Sequence, residues 1–118
     1  MWVYQARLVK VVDGDTVDML IDQGFRVQIT QRVRLLGVDA PERDTPEGKA
    51  AKAWVTEWFT VTGAARALLG QGLWPYEVTT HKPARDKYDR WVAEIWCKER
   101  SITQELLNTG IALPWPAR

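Results

Sequence analysis

Alternation of apolar and polar residues over residues 2–38 limits the possible folds more than any other feature of this chain. β-branched and aromatic residues dominate residues 2–12, and the turn signals Asp13-Gly14-Asp15 and Asp22-Gln23-Gly24 interrupt the pattern. We therefore predict three consecutive strands, over residues 2–12, 16–21 and 25–38. Because tight turns join them, these strands are expected to form an antiparallel meander.

The third predicted strand has different chemistry on its two faces. Its inward-facing residues are Phe25, Val27, Ile29, Val33 and Leu35. The opposite parity comprises Arg26, Gln28, Thr30, Arg32 and Arg34. Regular alternation therefore directs the Arg34 side chain away from the core, and a bulge would reverse this. Pro41 cannot donate a ladder hydrogen bond and favours extended geometry in the residue before it, so the strand must end there. The resulting turn is expected to hold Asp39 and Glu42 at a rigid corner.

A helical pattern follows the third strand, over residues 47–61. Thr45 suits the N-cap of this helix, and Pro46 suits its first helical position. The predicted apolar stripe of the helix is Ala50, Ala53, Trp54, Glu57, Trp58 and Val61. Gly63 can end the helix, and residues 64–69 are interpreted either as a helical extension or as an irregular crossing.

Two further strands are predicted over residues 76–80 and 91–97. Ser101 and Gln104 then form a capping box that opens a short helix, which Gly110 ends. Five strands, with a helix between the third and fourth and a short helix after the fifth, match the five-stranded Greek-key barrel called the OB-fold. We therefore predict a mainly β protein with some α structure, and a single domain over residues 1–118.

Charge and composition exclude several kinds of site. The 16 basic residues nearly balance the 15 acidic ones, whereas a domain that holds nucleic acid by charge alone is usually distinctly basic. Cys97 is the single cysteine, which excludes an internal disulfide and a multi-cysteine zinc site, and its strand-like setting predicts a buried, inert thiol. His81 is the single histidine, so a histidine-based zinc site and a Ser-His-Asp triad have no support.

The chain has no apolar run of membrane-spanning length and no charged-then-apolar leader. We therefore expect no membrane association and a cytoplasmic location, with a secreted mature form as the alternative. We also expect the protein to be a monomer.

Three segments place charged residues at strand ends or turns: residues 13–16, 34–42 and 86–90. Taken singly, the first is typical of a hairpin, and the other two are typical of solvated surface charges. The second segment, however, begins on Arg34 and ends on two carboxylates, those of Asp39 and Glu42. A cation and two anions at one strand end suit a site that handles a phosphate and a divalent metal.

Occurring together and in this order, these segments resemble the staphylococcal nuclease (thermonuclease) family. The matching stretches are Val11-Val12-Asp13-Gly14-Asp15-Thr16-Val17, Arg34-Leu35-Leu36-Gly37-Val38-Asp39-Ala40-Pro41-Glu42 and Asp86-Lys87-Tyr88-Asp89-Arg90, with a weaker match over residues 105–112. The similarity runs from about residue 5 to residue 112. It implies an OB-fold barrel and a calcium-dependent, sugar-nonspecific endonuclease that hydrolyses the phosphodiester bonds of DNA and RNA to 3′-phosphorylated products.

The resemblance also implies a calcium site. Asp15 and Asp39 correspond to side-chain ligands of Ca²⁺, and the backbone carbonyl of Ala40 corresponds to a third ligand. Hard oxygen donors of this kind suit calcium, which tolerates a flexible and partly hydrated shell. Glu42 corresponds to a carboxylate that acts on a metal-associated water, either as a general base or as a water-orienting group.

The remaining implied roles concern the substrate. Arg34 and Arg90 correspond to the arginines that bind the scissile phosphate, and a guanidinium fork matches two phosphate oxygens. Lys87 and Tyr88 correspond to positions around the phosphate and base of a bound nucleotide. Trp115 replaces tyrosines that relatives carry, and its indole face is expected to stack on a base.

Two departures from the family pattern carry expectations of their own. Asp89 stands where the family often has glycine, and its negative charge beside Arg90 is expected to weaken substrate binding. The chain also ends before the final helix of longer family members, so its seven tryptophans are expected to supply core area, Trp54 and Trp58 in particular.

Two other kinds of protein remain as alternatives. One is a catalytically inactive OB-fold module that binds nucleic acid or a protein partner, and the other is a structural domain whose charges pair with one another. The presence of Asp15, Arg34, Asp39, Glu42 and Arg90 favours the nuclease, because a binding module has no need for a carboxylate base beside a metal pair.

Overall fold

The computed structural model describes residues 2–80 and 91–115. Its strands are β1 (Trp2–Asp13), β2 (Thr16–Asp22), β3 (Gln28–Leu35), β4 (Val38–Asp39), β5 (Tyr76–Thr80), β6 (Trp91–Cys97), β7 (Arg100–Ser101) and β8 (Leu113–Pro114). Its helices are α1 (Pro46–Leu68), between β4 and β5, and α2 (Ile102–Thr109), after β7.

The five long strands form a closed barrel. The sheet has the order β3-β2-β1-β5-β6-β7, and a parallel pairing between β3 and β6 closes it. That pairing joins Val33 to Trp91, Arg34 to Val92 and Leu35 to Ala93. The architecture confirms the predicted fold class: mainly β with α, a five-stranded OB-fold barrel with a helix between the third and fourth long strands and a short helix after the fifth.

Strand β1 belongs to both halves of the barrel. Its first part pairs with β5 and its second part with β2. Register shifts between Leu8 and Lys10 and between Val11 and Asp13 mark irregularities in the second part. Bulges of this kind bend a strand and increase its twist, which lets one long strand follow the curved wall of the barrel.

One apolar core fills the barrel and extends beneath both helices. Its largest fully buried side chains include Met19, Ile21, Leu35, Ile95, Ile102 and Leu106. The Cys97 thiol is buried, as predicted, and burial raises its pKa. Within the described residues, neither helix combines the length and the apolar character needed to span a bilayer.

The third strand is shorter than predicted, because a left-handed turn replaces its first residues. Gly24, Phe25 and Arg26 all have positive φ, with values of 81°, 53° and 63°. The Phe25 side chain is fully exposed, so its predicted inward orientation is wrong, and Val27 is likewise exposed. From Gln28 onwards β3 pairs with β2 in continuous register, so no bulge changes its parity.

The other end of this strand also differs from the prediction. β3 ends at Leu35, Gly37 turns the chain with a φ of 86°, and Val38–Asp39 forms a separate short strand paired with β8. Val33 and Leu35 are buried, as predicted. The corner that carries Asp39 is therefore fixed by a second, two-stranded sheet rather than by the end of β3.

Helix α1 begins where predicted and ends later. The Thr45 side chain accepts a hydrogen bond from the Gly48 N–H, and Pro46 occupies the first turn. The helix continues through Gly63 to Leu68, and Gly70 follows with a φ of 74°. Residues 64–68 are thus a helical extension, the first of the two interpretations given for them.

The buried face of α1 is rotated from the predicted stripe. It comprises Gly48, Ala51, Val55, Trp58, Phe59 and Thr62. Of the predicted stripe only Trp58 is buried and Trp54 is partly buried, whereas Ala50, Ala53, Glu57 and Val61 are exposed. The prediction failed because it assigned apolar residues to the core, whereas a glycine and a threonine occupy two of the buried positions.

The short helix follows its prediction closely. Ser101 is the N-cap of α2, and its hydroxyl accepts a hydrogen bond from the Gln104 N–H at 3.2 Å. Gly110 ends the helix with a left-handed φ of 75°. The Gln104 side chain does not complete the reciprocal half of a capping box, because its amide donates to Asn108 instead.

Candidate active site

Three segments of the chain meet at one end of the β1–β3 meander. Thr16 of β2 lies opposite Arg34 of β3, which brings the β1–β2 turn beside the end of β3. The Leu35 N–H donates to the Asp15 carbonyl at 2.9 Å, and the Ala40 N–H donates to Oδ2 of Asp15 at 3.0 Å. The Asp15 carboxylate therefore joins the β1–β2 turn to the corner that follows β4.

Arg34 lies behind this corner, with only 14% of its side chain exposed. Its Nη1 donates to the carbonyl oxygens of Leu35 at 3.0 Å and Val38 at 2.7 Å. The same nitrogen lies 3.6 Å from Oδ2 of Asp15, and Nη2 lies 3.5 Å from Oδ1 of Asp39. The guanidinium thus sits between the two predicted calcium ligands and holds them on either side of it.

The pKa values of the two aspartates in the β1–β2 turn shift in opposite directions. Burial raises the pKa of Asp13, and the neighbouring Asp15 adds to the rise. Burial also opposes ionisation of Asp15, but hydrogen bonds from Asp13 and the Ala40 N–H, together with the charge of Arg34, outweigh it and lower the pKa of Asp15. Asp15 is therefore the more readily ionised carboxylate of the two, as a metal ligand must be.

An open cleft of about 460 Å³ lies in front of these groups. Its charged lining residues are Asp13, Asp15, Asp39, Glu42, Arg32 and Arg43. Arg34 is not among the described residues that line the cleft, but it lies 3.5–3.6 Å from two carboxylates that do, those of Asp15 and Asp39. The cleft lining contains four carboxylates and two guanidinium groups, and Arg34 adds a third guanidinium nearby. The described residues of this site therefore carry an excess of negative charge.

Two glycines let the segments of the site approach one another. A Cβ on Gly14 would lie 2.8 Å from the Cβ atoms of both Ala40 and Ala51. A Cβ on Gly48 would overlap the carbonyl oxygen of Glu42. Gly14 is not among the glycines with positive φ, so close packing and not a left-handed turn requires it. Helix α1 thereby supports the corner that carries Glu42.

We expect Gly48→Ala to destabilise the protein by about 1–3 kcal/mol, because the added methyl group must displace either the helix or the Glu42 corner. The direction is diagnostic, since alanine in a helix is ordinarily more stable than glycine by about 0.5–1 kcal/mol. Urea unfolding followed by circular dichroism measures the change. A variant as stable as the parent would mean that the close contact with Glu42 is relieved at no cost.

The structure describes only two of the other predicted site residues, Glu42 and Trp115. Glu42 is exposed on the wall of the cleft, and its carbonyl oxygen accepts hydrogen bonds from the N–H and the hydroxyl of Thr45. The Trp115 side chain is 55% exposed. The backbone N–H of Trp115 donates to the Gly37 carbonyl at 3.0 Å, next to the β4–β8 sheet. Lys87, Tyr88 and Arg90 lie outside the described residues, so their roles stay predictions.

The donor chemistry of the site fits a hard cation. Its side-chain donors are carboxylate oxygens, which are ligands for Ca²⁺ and Mg²⁺ and not for soft metals. Within residues 2–80 and 91–115, no three Asp, Glu, His or Cys side chains converge closely enough to form a complete metal cage. The two carboxylates beside Arg34 would supply only part of a cation's coordination shell, and carbonyl groups and water would have to complete it.

A family model described as staphylococcal nuclease homologue matches residues 32–116. The chain belongs to this family. The matched range contains Arg34, Asp39 and Glu42, and the Asp13–Asp15 turn lies just outside it. Family membership thus agrees with the resemblance that the sequence motifs indicated.

Three curated relatives that match this chain share 24–28% of their aligned residues with it. A thermonuclease of Staphylococcus intermedius is 28% identical over 109 residues, covering 87% of this chain and 55% of the relative. An uncharacterized endonuclease of Haemophilus influenzae is 24% identical over 106 residues, covering 90% and 49%. Protein ParB of Escherichia coli is 28% identical over 117 residues, covering 92% and 55%. The chain spans about half the length of these curated relatives.

Sequence reasoning missed several residues of this site in a nuclease-family chain. Asp13 was assigned only to a turn, although its carboxylate lines the cleft. Gly48 was counted only as part of a helix, and Arg32 was assigned to the outer face of a strand without a role. The parity that Arg32 shares with Arg34 on β3 was the one available signal for its position.

Proposed function

We propose that this chain is a metal-dependent phosphodiesterase, namely a calcium-dependent, sugar-nonspecific endonuclease acting on DNA and RNA to give 3′-phosphorylated products. The observation that carries the proposal is the position of Arg34, 3.5–3.6 Å from Asp15 and Asp39, two carboxylates that line the same cleft as Glu42. Relatives named thermonuclease and endonuclease support the same reaction class.

Charge balance explains why a cation is part of the proposal. Four carboxylates near the reacting centre would repel a phosphodiester, and the three arginines of the described site leave a negative excess. Asp15, Asp39 and the carbonyl of Ala40 are the groups that would hold calcium. Calcium, when bound, would supply positive charge and Lewis acidity beside the phosphate.

The protein's own groups divide the remaining work. Attack on a phosphodiester builds negative charge on the phosphoryl oxygens, so donors placed in advance lower the barrier most. Arg34 is proposed as such a donor, and the two backbone carbonyls and two carboxylates that hold its guanidinium support a fixed orientation. Glu42 is exposed on the cleft wall, where it can accept a proton from an attacking water or orient that water. Arg90 is proposed as the second phosphate-binding arginine.

Digestion of plasmid DNA and of RNA with calcium, with magnesium and with chelator tests the proposal. We expect cleavage with calcium, and we expect Glu42→Gln to lower kcat by about 100-fold or more, because the amide cannot accept the proton. Glu57→Gln is the matched control, since Glu57 is an exposed glutamate on α1 and changes net charge equally. Product ends are identified by whether phosphatase treatment is needed before a polymerase extends them.

Each contrary result has a distinct meaning. Cleavage that persists in chelator would contradict the metal assignment. Full activity of Glu42→Gln would contradict the role of that carboxylate. Nucleic acid that binds but is never cut would indicate the alternative, an inactive OB-fold binding module.

A further inference from the structure

A pair of cations lies on the outer face of the β1–β3 meander, beside the cleft and outside the catalytic roles assigned above. Arg32 lines the cleft and lies two residues before Arg34, on the same face of β3. Across the sheet, Arg32 lies opposite Asp18 of β2, and Asp18 lies opposite Lys10 of β1. The three side chains form a row across the sheet, two residues along β2 and β3 from the pair of Thr16 and Arg34.

Asp18 holds Arg32 in a fixed orientation. The Arg32 Nε donates to Oδ1 of Asp18 at 2.8 Å, and Nη2 donates to Oδ2 at 3.1 Å. This two-point contact, with Lys10 nearby, lowers the pKa of Asp18, so the carboxylate stays ionised. An arginine fixed in this way has less side-chain entropy to lose when it binds a ligand.

The row keeps positive charge and free donors despite the ion pair. One carboxylate stands between two cations, so the row taken by itself has a formal charge of +1, while Arg32 also faces the nearby Asp13 of the acidic cleft. A guanidinium has five N–H donors, and the bonds to Asp18 use two of them. No acceptor among the described residues takes the other three, and the Arg32 side chain is 47% exposed. These properties suit a phosphate oxygen arriving from solvent.

We propose that Arg32, oriented by Asp18 and assisted by Lys10, binds a phosphate next to the one that is cut, so that the polynucleotide strand leaves the cleft across the outer face of β1–β3. This subsite rests on the proposed nuclease function, since it names how that substrate is held. It places a substrate-binding residue on β3 directly beside the catalytic Arg34. It also gives a nearly neutral chain a local basic surface for a polyanion.

Equilibrium binding of fluorescent oligonucleotides tests the subsite. The probes are a single-stranded trinucleotide with two phosphodiesters and a dinucleotide with one, both measured with Glu42→Gln protein in calcium so that neither is cut. We expect Arg32→Ala to weaken trinucleotide binding by about 5- to 10-fold and dinucleotide binding much less. The slope of log affinity against log salt should fall by about 0.7, the contribution of one single-strand phosphate contact.

Two further variants distinguish a specific phosphate subsite from a general effect of net charge on binding. Asp18→Asn removes one negative charge and also the two-point contact that orients Arg32, so we expect it to weaken trinucleotide binding, by less than Arg32→Ala. Loss of an anion alone would instead tighten the binding of a polyanion, so tighter binding would contradict the orienting role of Asp18. Arg26→Asn is the matched control, because Arg26 lies in the β2–β3 turn, at the opposite end of β3 from the cleft. Asparagine tolerates the left-handed φ of Arg26, so this variant removes the charge without new backbone strain.

The outcomes distinguish this proposal from the function on which it rests. Equal weakening by Arg32→Ala and Arg26→Asn would overturn the subsite and leave only a general effect of charge. A lower melting temperature for Arg32→Ala with unchanged affinity would reduce the Arg32–Asp18 contact to a structural ion pair. Either result can coexist with normal cleavage by the parent protein. A parent that neither binds nor cuts the oligonucleotides would overturn both proposals.

Discussion

Replacing Arg34 by alanine is expected to lower kcat for DNA cleavage by about 100- to 1000-fold, the range found when one preorganised donor to a developing negative charge is removed. The structure adds a second cause. Arg34 donates to the Leu35 and Val38 carbonyls and lies between Asp15 and Asp39. Its loss would remove the proposed phosphate donor and also leave the Asp15 and Asp39 carboxylates without the positive charge that lies between them.

The matched substitution is Arg34→Lys, which keeps the charge and loses the fork. A single ammonium cannot contact two carbonyls and two carboxylates from one position, so we expect this variant to recover little of the activity. Arg100→Ala is the control for general effects of arginine removal, because Arg100 pairs with Glu105 far along the chain from the cleft residues. Steady-state cleavage of a fluorogenic oligonucleotide measures all three variants. Full activity of Arg34→Lys would show that charge alone is sufficient.

Trp58→Ala is expected to destabilise the protein by about 3–5 kcal/mol, because it removes a large side chain that is only 4% exposed. The indole lies against Phe59 and Tyr76, at centroid distances of 5.1 Å and 5.9 Å. Its Nε1 donates to Glu105 of α2 at 3.2 Å, so the substitution also removes a contact between the two helices. Thermal unfolding should show a melting temperature lower by at least about 10 °C.

Trp54→Ala is the matched control for this prediction. Sequence reasoning expected large effects at both tryptophans, but Trp54 is only partly buried at the edge of the core. We therefore expect less than half the loss of stability seen for Trp58→Ala. Equal effects at the two positions would contradict the ranking by burial.

The barrel could be predicted from the sequence because the residue patterns that define its strands, turns and helix caps involve near neighbours. Alternation in β2 and in the second half of β3, the turn residues between them, and the caps at Thr45 and Ser101 all depend on near neighbours. Which residues of α1 face the core depends instead on contacts with residues that are distant in the sequence. Thr62 is buried because its hydroxyl bonds to the Trp58 carbonyl and lies 2.9 Å from the Tyr76 hydroxyl, and no helical periodicity predicts that arrangement.

The candidate site shows the same division. The motifs named the charged residues, but their approach depends on strand register, which places Thr16 opposite Arg34. The role of Gly48 depends on a contact with the Glu42 carbonyl, which no local pattern contains. Phe25 failed as a core prediction because the left-handed residues of the β2–β3 turn rotate it into solvent.

The parallel pairing of β3 with β6 has a consequence for inactivation. It includes Arg34 itself and spans only three residue pairs, whereas β2 and β3 share seven. Local opening at this short junction would leave the antiparallel ladders intact, including the pairing of Arg34 with Thr16. It would free the chain just after β3, where the Leu36 N–H donates to the Ala93 carbonyl and the turn towards Asp39 begins. Heating or denaturant should therefore abolish cleavage before the bulk of the β-sheet signal is lost.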